Sequence, residues 1–243
     1  MGRKGPSRHT KREMSPRFWP IHRKEHAWSA RPSPGPHPIA ESLPLMVMVR
    51  DTLGYAETGR EARMIIKQGR VLVDGRPRRD EGYPVGVMDI VELPDAGQAF
   101  RALPAPGGRL ELHPIKGDEA GYKLCRIVGK TTARGGRAQL NLHDGRNVVP
   151  EDGGRYKVSD VLQLSIPDQE VLGRVSFEPG VLATVTGGRS QGRHGVVTGL
   201  GTEPGWKRTA TVRTPDGEEI RTLAAYVFAV GSGRPLISLP GGA

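Results

Sequence analysis

The segment Val128-Gly129-Lys130-Thr131 comes closest in this sequence to a nucleotide-binding motif. It matches the end of a phosphate-binding loop, G-x-x-x-x-G-K-[ST], in which backbone N–H groups hold the phosphates and a helix follows. The first glycine of that pattern falls on Leu124, and Gly135-Gly136 interrupt the helix that the motif needs. We therefore expect no nucleotide site. The cations of this segment are instead interpreted as a basic loop: Lys130, Arg134 and Arg137.

Metal binding and catalysis have equally little support. His22 and His26 have a spacing that could place two ligands together, but Arg23 and Lys24 lie between them and disfavour a dication. Cys125 is a single cysteine and cannot form an internal disulfide or a cysteine-based zinc site. The sequence contains no nucleophile elbow. We expect no metal, no cofactor, no small-molecule substrate and no enzymatic activity.

The composition favours a polyanionic partner. Lys and Arg number 36 against 26 Asp and Glu, a formal net charge of +10, and such a balance is typical of nucleic-acid binding. Aromatic residues make up 5% of the chain, too few for an extended platform that stacks unpaired bases. The longest apolar run, Leu43 to Val49, is far shorter than the roughly 20 residues of a membrane span. With no visible signal peptide, we expect a cytoplasmic protein that has no membrane partner.

The positive charge is concentrated at the amino end. Residues 1–31 hold nine cations against Glu13 and Glu25, a net charge of +7. Prolines at every second position from Pro32 to Pro38 then favour an extended linker. Because no periodic apolar face is present, we expect residues 1–42 to form an extended basic arm that becomes ordered on nucleic acid. Its candidate RNA-binding residues are Arg3, Lys4, Arg8, Lys11, Arg12, Arg17, Arg23, Lys24 and Arg31.

Residues 43–94 have the pattern of a small helical unit that ends in a hairpin. A short buried helix is predicted over Leu45–Leu53, and a second helix begins at Thr58, where Glu61 completes a capping box. At 100° per residue the second helix has an apolar face and an opposite basic face. The pair Asp74-Gly75 predicts a tight hairpin turn. The candidate RNA-binding residues of the basic face and the hairpin are Arg60, Arg63, Lys67, Arg70, Arg76, Arg78 and Arg79.

The remainder of the chain is predicted to consist of strands. Glycines and prolines between residues 97 and 108 indicate a linker, and we expect a central β-rich domain at 109–176. Five more strands are predicted in residues 177–243. The loop from Gly187 to Gly195 joins two of them and combines cations with glycines that allow close backbone approach. Its candidate RNA contacts are Gly188, Arg189 and Arg193.

Several segments resemble those of known families. Residues Gly69 to Gly75, G-R-V-L-V-D-G, are similar to the hairpin signature of the small RNA-binding domain named after bacterial ribosomal protein S4. The segment from Val185 to Val197 resembles the KOW motif, which forms a small SH3-like barrel. The wider order of segments resembles the S4e family of archaeal and eukaryotic ribosomal proteins over essentially the whole chain, and its archaeal members more closely. The segments that carry this resemblance are Arg31–His37, Tyr122–Ile127 and Ile237–Pro240.

The resemblance implies an α+β, multi-domain chain with an extended basic N-terminal arm (1–42), an S4-type helix-helix-hairpin RNA-binding domain (43–94), the central β-rich domain (109–176) and a KOW-containing SH3-like β-barrel (177–243). It further implies a structural constituent of the small ribosomal subunit that binds ribosomal RNA, contacts neighbouring ribosomal proteins and supports subunit assembly. Two alternatives stay open: an RNA-modifying enzyme with an S4-type domain, and a KOW-type transcription-elongation factor. The enzyme would need a catalytic Asp in a larger domain than residues 109–176 provide.

Overall fold

The computed structural model describes residues 9–203 and 207–240. Most of the regular secondary structure in this part of the chain is β-strand, and its α-helices are short. The α+β class predicted from the sequence therefore holds with the β part dominating. Within the same two ranges, no helix has the length and apolar character needed to cross a bilayer.

The described part of the arm folds onto the next domain. Strand β1 (Thr10–Lys11) pairs antiparallel with β2 (Trp28–Ser29), and Trp19 between them is only 2% exposed, within the core of the following unit. The indole Nε1 of Trp19 donates a hydrogen bond of 2.9 Å to the carbonyl of Ser42. The prediction of an arm that stays extended until it meets nucleic acid is wrong for these residues, because aromatic side chains bury enough apolar surface to order the chain.

The second unit packs two short helices against a sheet. Its elements are β3 (Leu43–Pro44), α1 (Leu45–Val47), a π-helical turn (Met48–Thr52), α2 (Gly59–Lys67), β4 (Leu72–Val73), β5 (Arg76–Pro77), β6 (Pro84–Val85), β7 (Ile90–Leu93), β8 (Gln98–Ala105) and β9 (Arg109–Ile115). Five of the strands form an antiparallel sheet of order β5-β4-β7-β8-β9, and β3 pairs with β6. The predicted first helix is confirmed as one α-helical turn that continues into the π turn.

Helix α2 begins where its capping box predicts. Thr58 Oγ1 accepts a hydrogen bond of 3.3 Å from the backbone N–H of Glu61, and the Glu61 carboxylate accepts one of 3.4 Å from the backbone N–H of Thr58. Ala62 and Ile66 are fully buried on the apolar face. The cations of the opposite face are exposed: Arg60, Arg63 and Lys67. The 3.6-residue period of the apolar residues thus orients the helix with its basic face toward solvent.

The linker predicted at residues 97–108 is wrong. Gln98–Ala105 is a strand, and it forms a hairpin with Arg109–Ile115. Gly107 and Gly108 have φ values of 77° and 78°, a conformation that favours glycine, and they form the hairpin turn. The domain boundaries expected at residues 94 and 109 stay predictions, and the sheet continues across both.

The central sheet is built around one long strand. Its elements are α3 (Gly117–Ala120), β10 (Tyr122–Thr132), β11 (Ala138–Leu142), β12 (Asn147–Val148), β13 (Val161–Ser165) and β14 (Val171–Val175), and its strand order is β12-β11-β10-β13-β14. The first half of β10 pairs with β13 and the second half with β11, on either side of a bulge between Ile127 and Gly129. The sequence pattern predicts strands over Tyr122–Val128, Ala138–Leu142 and Val161–Ile166. All three are confirmed, and β10 extends beyond Val128 to Thr132.

The C-terminal sheet is also antiparallel. Its strands are β15 (Val181–Val185), β16 (His194–Glu203), β17 (Lys207–Arg213), β18 (Glu219–Leu223) and β19 (Val227–Ser232), in the order β18-β17-β16-β15-β19. The five predicted strands are confirmed. Within the described residues β18 and β19 remain the edges of an open sheet, so the predicted closed barrel is not confirmed.

The three five-stranded sheets share a core. Its buried members come from each of them: Met88, Leu103, Leu124, Val161 and Phe228. The hairpin turn of the second unit also contacts the turn between β13 and β14, because a Cβ at Gly75 would lie 2.7 Å from Ile166 Cγ2. Side chains from different sheets can therefore form one site.

Candidate nucleic-acid interface

The basic face of α2 lies beside the end of the following hairpin. Arg63 pairs through its Nε with the carboxylate of Glu81, and this hydrogen bond and charge raise the pKa of Arg63. Arg79 is close to the C-terminal end of the helix, since its Nε is 3.5 Å from the position of a Cβ at Gly69. The structure thus places Arg79 at the C-terminal end of the helix whose exposed face carries Arg60, Arg63 and Lys67.

The other hairpin cations lie elsewhere. Arg70 Nε is 3.6 Å from Asp95 Oδ2, and both side chains are exposed. Arg76 is exposed and donates a hydrogen bond of 3.4 Å to the carbonyl of Pro167, in the turn between β13 and β14. The guanidinium of Arg78 lies over the ring of Tyr83, 4.4 Å from its centre. Arg76 and Arg78 therefore lie at the junction with the central sheet and not on the helix face.

The arm divides into exposed cations and one structural arginine. Lys11, Arg17, Arg23 and Lys24 are exposed, and Arg31 is half-buried. Arg12 is buried, and its Nε donates a hydrogen bond of 3.0 Å to the carbonyl of Ile21. The structure thus gives Arg12 a role in holding the turn between β1 and β2. The remaining predicted contacts, Arg3, Lys4 and Arg8, lie outside the described residues.

The basic loop predicted around Lys130 is a β-hairpin tip. Gly129, Lys130 and Thr131 belong to β10, so the glycine-lysine pair lies in a strand and not before a helix. Gly135 and Gly136, with φ values of 85° and 75°, turn the chain into β11. The two arginines of the tip are exposed: Arg134 and Arg137.

The glycines of the Gly187–Gly195 loop serve packing within the protein. A Cβ at Gly192, whose φ is 86°, would lie 2.6 Å from the carbonyl carbon of Ala105 and from the nitrogen of Pro106. A Cβ at Gly187 would lie 2.8 Å from the ring of Tyr226. Gly188 is exposed with a φ of 80°. The loop is therefore docked on the turn between β8 and β9 and on the aromatic ring.

The cations of this loop remain at the surface. Arg189 is exposed. Arg193 is exposed and forms an ion pair through Nη1 with the carboxylate of Glu218. Of the two, Arg189 is the one whose charge is not matched by a described ion pair, so it is the better placed for an anion.

A buried charge cluster joins the hairpin to the central sheet. The ammonium of Lys123, fully buried on β10, lies 2.9 Å from Asp74 Oδ2, 2.5 Å from Asp89 Oδ1 and 3.0 Å from Asp144 Oδ2. Arg146 bridges two of these carboxylates, through Nη2 to Asp74 at 2.5 Å and through Nε to Asp144 at 3.2 Å. The Asp74-Gly75 pair of the hairpin signature thus serves contact with the central sheet, which the sequence did not predict.

The pKa values follow from this arrangement. Burial alone would lower the pKa of Lys123, but the charges of Asp89 and Asp74 hold it well above its usual value. Burial alone would raise the pKa of Asp144, but Lys123 and the other positive neighbours lower it to about 2. Burial lowers the pKa of His143 to about 3, with a further contribution from Lys123. Lys123 and Asp144 are therefore charged at neutral pH, and His143 is neutral.

One group of potential metal ligands occurs within the described ranges, Cys125, His143 and Asp144, whose donor atoms lie within 4.8 Å of one another. The Asp144 carboxylate already accepts contacts from Lys123 and Arg146. His143 Nδ1 accepts a hydrogen bond from the backbone N–H of Arg126, and burial raises the pKa of the Cys125 thiol well above its usual value. Occupied donors and adjacent cations do not favour a metal ion here.

Family models match consecutive parts of the chain. The model of the RS4NT (NUC023) domain matches residues 4–40, the S4 domain model matches residues 43–91, and the model of ribosomal family S4e matches residues 96–171. The S4 match contains α2 and the hairpin, and the S4e match contains Lys123 and Arg146.

Curated relatives are similar over nearly the whole length. Small ribosomal subunit protein eS4 of Methanothermobacter thermautotrophicus is 52% identical over 236 residues, covering 97% of each chain. The protein of the same name from Ignicoccus hospitalis is 48% identical over 251 residues, covering 98% of this chain and 97% of the relative. The crystal structure of 30S ribosomal protein S4e from Thermoplasma acidophilum is similar with a TM-score of 0.68 and 32% identity, over 79% of this chain and 96% of that one.

Proposed function

The chain belongs to the S4e family of ribosomal proteins, and we propose that it is a structural protein of the small ribosomal subunit that binds ribosomal RNA. The observation that carries the proposal is the exposed basic face of α2, which lies in the segment matched by the S4 domain model. Lysine and arginine side chains on such a surface bind the phosphate backbone and fix the position of the protein on RNA. Its location is the ribosome, in the cytoplasm.

Four further groups of cations on other parts of the chain would add RNA contacts. They are the arm, the hairpin, the β10–β11 tip and the loop between β15 and β16. Their proposed RNA contacts within the described residues are Lys11, Arg17, Arg23, Lys24, Arg31, Arg70, Arg76, Arg78, Arg79, Lys130, Arg134, Arg137, Gly188, Arg189 and Arg193. Contacts from separate parts of the chain would tie several RNA segments together, which supports a role in subunit assembly.

We further infer that the protein is not an enzyme and that its other partners are neighbouring ribosomal proteins. The relatives named as small-subunit proteins align across the central sheet, the region in which an RNA-modifying enzyme would need its catalytic aspartate. We also propose that residues 177–243 form a KOW domain. Its support is that the motif from Val185 to Val197 spans the end of β15, the glycine loop and the start of β16.

Charge reversal on α2 tests the RNA-binding function. The variant Arg60→Glu/Arg63→Glu/Lys67→Glu should bind small-subunit ribosomal RNA at least about a hundredfold more weakly in a filter-binding assay, because three cations would face phosphates as anions. Its melting temperature should stay near that of the parent, since the three side chains are exposed. A folded variant that binds RNA like the parent would contradict the proposal.

A matched control changes the net charge of the protein by the same amount at other positions. Lys116→Glu/Arg155→Glu/Arg213→Glu reverses three exposed cations outside the proposed surface and should keep most of the affinity for ribosomal RNA.

Co-sedimentation with small subunits through a high-salt wash separates the ribosomal role from the alternatives. Release by the wash together with recovery on RNA polymerase would favour an elongation factor.

A further inference from the structure

We propose that the junction between the hairpin and the central sheet holds a binding pocket for a single phosphate group of the ribosomal RNA backbone. The inference rests on the proposed RNA-binding function and gives it a specific site. It adds Arg146, a residue from the turn before β12, to the cations that the sequence indicates.

The site is an open cleft of about 380 Å³ between the two units. Four cations line it: Arg76, Arg78, Lys123 and Arg146. Two carboxylates line it as well, those of Asp74 and Asp144. The lining therefore has an excess of positive charge, and an anion that enters the cleft is attracted by it.

The two carboxylates are already neutralised within the protein. Asp74 and Asp144 each contact both Lys123 and Arg146 at 2.5–3.2 Å. Lys123 also pairs with Asp89, which is not part of the lining. The charge of this lysine is therefore fully compensated within the protein. Lys123 and Arg146 together face three carboxylates, so the cations left for an external anion are Arg76 and Arg78, and Arg146 can add only an N–H donor.

Two of these arginines are held in place before any ligand arrives. Arg146 is fixed by its Nε and Nη2 contacts to two carboxylates, which leaves Nη1 outside the described contacts. Arg78 is stacked on Tyr83, and its Nε is buried without a hydrogen-bond acceptor among the described residues. Because its Nε is covered by protein atoms, Arg78 can offer an anion only its two terminal NH2 groups, which can bind two phosphate oxygens.

A neutral donor completes the cleft. Tyr83 lines it, and burial together with the charge of Asp89 raises the pKa of Tyr83. Its hydroxyl thus keeps its proton and can donate to a phosphate oxygen. Gln169 also lines the cleft, and a glutamine side chain carries an amide that can donate.

The occupant is assigned to RNA by continuity with the rest of the basic surface. Arg79 follows Arg78 directly and lies at the end of the basic face of α2. An RNA backbone that follows this face and continues past Arg79 would reach the segment that carries Arg78 and Arg76, where one phosphate can enter the cleft while its neighbours stay outside. The S4 domain and the central sheet would then bind the same strand.

Phosphate-ethylation interference tests this assignment with the full-length chain. Ethylation of one phosphate oxygen removes the negative charge that the arginines need. For the parent protein we expect a phosphate of small-subunit ribosomal RNA whose ethylation prevents binding. The variant Arg76→Gln/Arg78→Gln should bind unmodified RNA about tenfold more weakly and should tolerate ethylation at that phosphate.

The control pair Arg155→Gln/Arg213→Gln removes two exposed arginines that each pair with one acidic side chain outside the cleft, and it should keep the interference. If the double variant melts below the parent, Arg76→Gln alone replaces it, because Arg76 is exposed and makes one long hydrogen bond. If the parent binds RNA and its interference pattern equals that of the folded variant, the proposal of a phosphate pocket is overturned. The RNA-binding function would then remain supported. A parent that does not bind the RNA at all would overturn both.

A thermal-melting experiment with inorganic phosphate alone distinguishes a free phosphate ion from a phosphate of the RNA backbone as the ligand. Stabilisation of the parent that the variant loses, combined with an unchanged interference pattern, would assign the cleft to a free anion and overturn its assignment to RNA. Loss of the interference at one phosphate in the variant supports the assignment to RNA.

Discussion

Lys123 shows how strongly one buried residue depends on partners from other elements. The variant Lys123→Met should lower the free energy of unfolding at pH 7 by about 3–5 kcal/mol, because it leaves three carboxylates without their shared cation in a buried place. Denaturant unfolding measures this change. Lys116→Met, at an exposed position, should change the free energy by less than about 0.5 kcal/mol.

Lowering the pH should reduce the difference in free energy of unfolding between Lys123→Met and the parent. In the parent the pKa values of Asp89 and Asp144 are lowered, so these groups stabilise the fold above the unfolded pKa of about 4, and the contribution is lost as the pH falls toward 2. In the variant, burial without the lysine raises the same pKa values, so proton uptake by these aspartates favours its folded form as the pH falls toward 4. A difference that stays constant from pH 7 to pH 4 would contradict the cluster as described.

The sequence carries a signal for Lys123 but not for its partners. A lysine between Tyr122 and Leu124 in an apolar strand requires a buried counter-charge. Its partners come from the hairpin turn, from the start of β7 and from the turn before β12, at sequence separations of 49, 34 and 21 residues. Only the packing of the sheets brings them together, so the junction pocket could not be predicted from local patterns.

The loop between β15 and β16 allows a test of how one element docks on another. Gly192→Ala should lower the free energy of unfolding by about 1–3 kcal/mol more than Gly188→Ala, because its Cβ would meet the backbone of Ala105 and Pro106 at 2.6 Å. Gly188 is the matched control, since its φ of 80° is close to the 86° of Gly192 and its nearest contact would be 3.5 Å. Equal effects in urea unfolding would show that backbone strain alone matters at both positions.

Elements with strong local signals were predicted well. Helix α2 has a capping box and an apolar stripe, and β11 has alternating residues between glycine turns. The hairpin of β8 and β9 was missed because Pro104 and the glycines that follow it are typical of linkers. Pro104 is instead the penultimate residue of β8 and pairs with Leu110 next to the turn, where breakers are compatible with a hairpin.

For the molecule as a whole, the net charge of +10 predicted the class of partner, whereas the family required motifs in a particular order. Residues 1–31 contribute +7 of this charge. Deleting residues 1–31 would not isolate that contribution, because Trp19 belongs to a core and Arg12 holds the turn of the arm. A shorter deletion is needed.

Removal of residues 1–8 takes away Arg3, Lys4 and Arg8 and no acidic residue. Each phosphate contact contributes roughly 0.7–0.9 to the slope of log K against log salt concentration. The deletion should therefore flatten the slope for ribosomal RNA binding by about two, and Arg3→Gln/Lys4→Gln/Arg8→Gln should flatten it equally without shortening the chain. A slope equal to that of the parent in both variants would show that these three cations do not contact phosphate. Flattening by the deletion alone would instead assign the effect to chain length, since the substituted chain lacks the same charges.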